Sequence, residues 1–153
     1  MATYSSNLIL AGGGQAAPSI VPGTTRPVLG SIVIPAGVTI ALNDTMPLFY
    51  MAAGSAAHVI SYWFDSPALD SGATLTMSLL DSTTPTPTSF FTAVTGFRAG
   101  AIITSATTAR ASVGSAVNYV APNLIFLRAA AAAGANVGAS AVTVYFEFDI
   151  TRD

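Results

Sequence analysis

The residues that could carry chemistry are few. His58 is the one imidazole among 153 residues, and a Ser-His-Asp hydrolase would need it beside a nucleophile presented on a turn. It lies instead inside AAHVISYWFD, a run that reads as a β-strand. No Gly-x-Ser-x-Gly occurs, since GASAV at 138–142 lacks the last glycine. The absence of cysteine removes thiolate metal sites, disulfides and cysteine nucleophiles together. The glycines of AGGGQAAP are followed by Pro18 and by no Gly-Lys-Ser/Thr, so they match neither a P-loop nor a dinucleotide fingerprint.

Two sets of carboxylates remain. Asp65 and Asp70 bracket the connection SPALDS, and with its serines they offer oxygen ligands of the kind Ca²⁺ prefers. Ca²⁺ takes about six to eight such ligands, more than the loop supplies. Asp and Ser also occur in such loops because they hydrogen-bond their own backbone in turns, which is the reading adopted. Glu147 and Asp149 share the polar face of the last strand. Glycosidases use paired carboxylates, but nothing nearby desolvates either acid, and a solvated strand face explains them. No residue set implies catalysis, and none implies a cofactor or a metal.

The elements around these residues are β throughout. VTIAL (38–42), MPLFYM (46–51), AAHVISYWFD (56–65) and GATLTMSLL (72–80) are short apolar or alternating runs separated by Pro, Gly, Asn and Asp. In AAHVISYWFD both faces carry large groups, which predicts a strand covered on both sides, by the core and by a neighbour. GATLTMSLL points Leu75, Met77 and Leu79 one way and Thr74, Thr76 and Ser78 the other. SFFTAVTGF fits a short helix or a strand, and further short strands are expected at 101–104, 117–120 and 123–128. AAAAAGANVGAS reads as a hairpin loop because Gly134 and Gly138 cut short the helix that alanine favours. The last strand alternates most cleanly: Val142, Val144, Phe146, Phe148 and Ile150 against Thr143, Tyr145, Glu147, Asp149 and Thr151. About eight short strands at this spacing predict an antiparallel β-sandwich, jelly-roll-like.

Residues 1–29 differ from the rest. Three consecutive glycines, three prolines and one charge exclude a good helix, yet Leu8, Ile9, Leu10, Ile20 and Val21 are too apolar for a merely solvated tail. This stretch is expected to be an extended N-terminal arm whose five apolar residues meet a neighbouring subunit or the arm's own domain. Residues 30–153 form the single sandwich domain.

Composition addresses partners. Only five Arg and seven Asp or Glu are charged, 8% of the chain, and lysine is absent. Soluble domains average about 25% charged residues. A folded surface of roughly 7,200 Å² leaves about 600 Å² for each charge. Serine and threonine can keep such a surface wet, but lysine is the residue most depleted at interfaces and a common guard of strand edges. The balance favours a homo-oligomer or a larger assembly. A net charge of −2 without a basic cluster argues against nucleic acid. Residues 45–64 are uncharged and long enough to span a bilayer. They contain Pro47, Gly54 and His58, alternate like a strand and lie between Asp44 and Asp65, which argues against a membrane span. The N-terminus lacks the basic and apolar regions of a signal peptide.

ALNDTMPLFYMAAG (41–54), LDSGATLTMSLLDS (69–82), FFTAVTGFRAGAI (90–102) and AAAAAGANVGASAVTVYFEFDI (129–150) resemble segments of small structural proteins of tailed bacteriophages. In that family an "LND…LF" strand precedes a "PAG" turn, here AAG at 52–54. An acidic loop and an "LTL" strand follow, then an Ala/Gly-rich connection into a final valine-rich strand. The resemblance covers roughly residues 31–150 and carries no catalytic signature. It implies a non-enzymatic virion protein made in the host cytoplasm and seated on the capsid surface. That role is a head decoration (cement) protein, a homotrimer or homodimer, with the major capsid protein as partner. The alternative is another virion component: a capsid subunit, a fibre, or a spike that binds host glycans through exposed aromatics such as Tyr62 or Tyr145.

Overall fold

Alternation along the last strand sets the centre of the molecule. In the computed structural model, which describes residues 1–10, 15–16, 25–51, 57–82, 87, 89–104 and 123–152, strand β9 (Val142–Arg152) buries Val144, Phe146, Phe148 and Ile150. It lies between β2 (Thr25–Ile34) and β4 (Ala57–Ser66), and β7 (Ala101–Thr104) pairs with the far side of β4. These four strands form one antiparallel sheet in the order β2-β9-β4-β7.

The facing sheet contains β3 (Thr45–Met51), β8 (Asn123–Ala131), β5 (Thr76–Asp81) and β6 (Ser89–Val94), antiparallel in that order. The two-residue β1 (Gln15–Ala16) adds to β3 in parallel. The fold is therefore the expected all-β antiparallel sandwich. With β1 set aside, the first of the eight long strands lies beside the last in one sheet, and the second lies beside the second-last in the other.

Aromatic side chains fill the space between the sheets. Phe64 on β4 is fully buried and meets Phe148, Phe97, Phe91 and Phe146 at centroid distances of 5.6, 5.7, 6.2 and 6.3 Å. Phe49 on β3 reaches across to Phe148 edge-on at 5.0 Å. Such edge-to-face pairs add about 0.5–1.5 kcal/mol to area burial. Gly30 makes room for this cluster. It is the register partner of Phe146, and a Cβ placed on it would stand 2.4 Å from the ring.

Several expectations need correction. VTIAL is not a strand: residues 38–42 form no ladder. Val38 and Ile40 still turn inward, and their carbonyls accept hydrogen bonds from Val137 (2.9 Å) and Ala133 (2.8 Å). The alternation is thus a packing pattern of a connection laid against the Ala/Gly loop. That loop is not a hairpin, because β8 and β9 belong to opposite sheets. β8 continues through Ala129–Ala131, where Ala129 is fully buried. Likewise AAHVISYWFD and GATLTMSLL, adjacent in sequence, contribute β4 and β5 to different sheets. SFFTAVTGF resolves to strand Ser89–Val94.

The start of the chain stitches the two sheets. Thr3 bridges Thr45 of β3 and Ser6 bridges Ile32 of β2, while Tyr4 and Ser6 donate backbone hydrogen bonds to the carbonyls of Thr45 and Pro47, both at 2.9 Å. The buried Ser6 hydroxyl donates to the Leu48 carbonyl and accepts from the Ile9 N–H at 3.3 Å. A single helical turn, α1 (Asn7–Leu10), follows, and the Asn7 side-chain oxygen accepts from Ser31 N–H at 2.8 Å. β2 then starts at Thr25 and runs unbroken through residues 29 and 30, where the sequence suggested that the arm ends. No helix among the described residues is long and apolar enough to cross a membrane.

Candidate functional site

Asp70 is the centre of a loop junction. The side chain is 3% exposed. Its Oδ1 accepts from the backbone N–H of Gly72 (2.7 Å), Gly134 (3.1 Å) and Ala135 (3.0 Å). Its Oδ2 accepts from those of Thr74 and Leu75, both at 2.8 Å. Burial by itself pushes this carboxyl up, but the N–H groups of Leu75, Thr74, Gly72 and Gly134 outweigh burial and hold it well below the usual aspartate range.

One carboxylate thereby ties the β4–β5 connection to the β8–β9 connection. The two backbones touch: a Cβ on Gly72 would lie 2.7 Å from the Gly134 backbone. Between Asp70 and its donors Thr74 and Leu75, Ala73 is held at φ +60°, a left-handed conformation that costs about 1–2 kcal/mol outside glycine. Leu69 and Asp70 also donate to the carbonyls of Phe97 and Arg98, at 3.0 and 3.2 Å, and Arg98 Nε donates to the Leu75 carbonyl at 2.8 Å. With five backbone donors on its two oxygens, Asp70 is a structural acceptor rather than a cation ligand. Asp65 does not join it; that side chain is exposed at the other end of the connection.

Asp44 makes a smaller junction of the same kind. It is 2% exposed, accepts from the Ala41 N–H at 2.9 Å and accepts from the Ala2 N–H. Burial first, and then the charge of Asp44, raise the phenol pKa of the neighbouring Tyr4.

The outer face of the β2-β9-β4-β7 sheet is different in character. Residues opposite one another in antiparallel strands share a face. The registers place Leu29, Glu147, Trp63 and Thr104 in one row across it, and Ser31, Tyr145, Asp65 and Ile102 in the next. Leu29, Val33, Ile102 and Tyr145 are 54–60% exposed. A shallow cleft of about 280 Å³ is walled by Ser61, Trp63, Glu147 and Asp149. A second of about 320 Å³ shares Trp63 and Glu147 with it and adds Leu29, Gly30, Asp65, Tyr145 and Phe146. The Ser61 hydroxyl donates to Asp149 Oδ2 at 2.5 Å. Glu147 and Asp149 do share a face, as the sequence indicated, and Asp65 joins them.

Trp63 is what the sequence reading missed. β4 carries large groups on both faces; among its described residues Tyr62 and Phe64 are covered by the facing sheet, while Trp63 is half-buried on the open side. Its alternation with Tyr62 was the available signal. Tyr62 is 3% exposed and packs on Phe91 at 5.5 Å, so of the two aromatics considered for glycans only Tyr145 faces out. The backbone of His58 pairs with Thr151 in the ladder, and its side chain lies outside what is described. Of the five apolar residues of the leading segment, Leu8 packs against the core and Ile9 is partly covered. The side chain of Leu10 and both Ile20 and Val21 lie outside the described residues. Among the described residues, no group of three or more His, Cys, Asp or Glu is placed to hold a metal.

No protein-family model matches the sequence, and no curated protein matches it. Solved structures do share the fold. A chain from the capsid of Ralstonia phage GP4 is similar over 99% of both chains, with a TM-score of 0.68 and 17% identity. A chain from the cyanophage Pam1 capsid asymmetric unit covers 92% of this chain and 94% of its own, with a TM-score of 0.52 and 20% identity. At these identities the likeness establishes a common fold, and the chain adopts end to end a fold that is used in phage capsids.

Proposed function

We propose that this chain is a structural protein of a tailed-phage virion, and specifically a head decoration (cement) protein that binds the outer surface of the shell. The observation that carries this is the end-to-end likeness in fold to a chain of a phage capsid. It is supported by the absence of lysine, the 8% charge content and a set of apolar side chains left open on one sheet. The wiring, first strand beside last and second beside second-last, supports reading the sandwich as a jelly roll, two Greek keys folded into two sheets. In this reading the leading segment, with Leu8, Ile9, Leu10, Ile20 and Val21, supplies contacts to the shell or to sister copies in a trimer or dimer. Each contact is modest, and repetition over the lattice multiplies it. The protein works by burying surface across capsomer boundaries and carries out no reaction.

Mass spectrometry and imaging of purified particles test this. The expected result is many copies per particle, with density for the sandwich on the outside of the shell. Absence from mature particles would overturn the virion reading. Density forming the shell floor would replace decoration with capsid subunit. A glycan-binding spike is the second reading, favoured by one observation: Trp63 and Tyr145 line adjoining clefts beside carboxylates.

A further inference from the structure

We infer that the outer face of the β2-β9-β4-β7 sheet is a docking site for a basic, Arg- or Lys-bearing segment of a partner protein, centred on Trp63. This rests on the reading that the chain is seated on a shell, and it names the chemistry of the seat.

The face combines two features. Leu29, Tyr145 and Ile102 present apolar surface to water around a half-buried tryptophan. Interleaved with them, in register, are the carboxylates Asp65, Glu147 and Asp149. None of the described side chains on this face is basic: Arg98 donates to the Leu75 carbonyl in a loop, and Arg128 lies on β8 of the other sheet. Seven acids against five arginines leave the whole chain at −2, and among the described side chains of this face every charged one is acidic.

Charge complementarity selects the occupant. A second copy docked face to face would set acids against acids, which is unfavourable. A neutral sugar would stack on Trp63 and donate hydroxyls to the acids, but it would leave their charges uncompensated. A guanidinium or ammonium satisfies both features. It sits over the face of Trp63 or Tyr145, where the ring quadrupole attracts a cation, and it reaches Asp65 or Glu147 for charge-assisted hydrogen bonds. An extended segment laid across the sheet passes both clefts in turn, because they share Trp63 and Glu147.

Trp63 is the chain's only tryptophan, so its fluorescence reports from this face alone. The isolated protein is titrated with a short peptide of alternating Arg and Ser, with the Glu-Ser counterpart, and with maltotriose. The parent and the Asp65→Lys and Glu147→Gln variants are also sedimented with shells stripped of this protein. The expected result is that only the Arg peptide changes the emission, and that about 1 M NaCl, where the screening length is about 3 Å, abolishes the change. Glu147→Gln should weaken peptide binding about tenfold, and Asp65→Lys should abolish both peptide and shell binding. Urea midpoints equal to the parent's show that these water-facing variants are folded.

If the parent binds shells and both variants bind equally well, the docking face is refuted while the decoration reading stands. If the parent binds no shells yet the Arg peptide quenches Trp63 in a salt-sensitive way, the face survives and the decoration reading falls. A response to maltotriose that salt leaves intact overturns the inference in favour of a glycan site.

Discussion

Replacing Asp70 with asparagine removes one acceptor oxygen while keeping the shape. Whichever way the amide turns, its single carbonyl retains at most the three N–H contacts of Oδ1, from Gly72, Gly134 and Ala135. The N–H groups of Thr74 and Leu75 then face an NH₂ group and lose their partner. Hydrogen bonds to a charged acceptor are worth about 1.5–3 kcal/mol each, so two losses amount to about 3–6 kcal/mol. That is a large part of the total stability of a domain, about 5–15 kcal/mol. With a urea slope of about 2 kcal/mol/M, the midpoint should fall by about 1.5–3 M at pH 7.

Acid provides an internal control. The folded carboxyl is held below its unfolded value, so its contribution is complete above the unfolded pKa of about 3.9 and is lost as the pH falls from there toward the folded pKa. Between pH 7 and pH 2 the parent should lose about 2.6 kcal/mol through this group alone. Asp70→Asn has no such group to titrate, and the other carboxylates cancel in the comparison. The gap between parent and variant should therefore narrow on acidification. Urea melts followed by Trp63 fluorescence at the two pH values measure this. A midpoint within about 0.5 M of the parent at pH 7, or a gap unchanged at pH 2, would refute the account of Asp70 as a junction held by its charge.

Other predictions follow from the packing. Gly30→Ala places a Cβ 2.4 Å from the Phe146 ring and should destabilise by about 1–3 kcal/mol in a thermal melt. Phe64→Ala empties the middle of the aromatic cluster and should cost about 3–5 kcal/mol by chemical denaturation; a loss under about 1 kcal/mol would contradict the packing described. Ser6→Ala leaves the buried Leu48 carbonyl and the Ile9 N–H without the hydroxyl that both contact, at a cost of about 1–3 kcal/mol. Hydrogen exchange should speed up at Tyr4 and Ser6, whose N–H groups bond β3, more than at β5. Gly72→Ala forces the β4–β5 and β8–β9 connections apart, and its loss of stability should be sub-additive with that of Asp70→Asn, because both changes break one junction.

Much of the fold was legible because it rests on local alternation. Val144, Phe146, Phe148 and Ile150 announce an inward face at period two, as do Leu75, Met77 and Leu79, and both runs are buried as read. Where alternation misled, the cause was non-local. Val38 and Ile40 face the core from a connection whose hydrogen bonds go to Ala133 and Val137, and no pattern within VTIAL distinguishes that from a ladder. Trp63 stands at strand period beside Tyr62, but which of the two faced the core depended on the opposite sheet.

By itself, then, the sequence determined the β class, the inward face of each well-alternating strand, the absence of cysteine and lysine and the scarcity of charge. These depend only on residue type and on spacing along one strand. Tertiary structure alone decided that β4 and β5, neighbours in the chain, lie in opposite sheets, and that Asp70 spends both oxygens on backbone donors from two connections. It also decided that Trp63, Asp65 and Glu147 share an open face. The physical reason is common to all three. Strand partners and side-chain neighbours are chosen by burying two apolar faces against each other, a condition on residues far apart in sequence that no local pattern encodes.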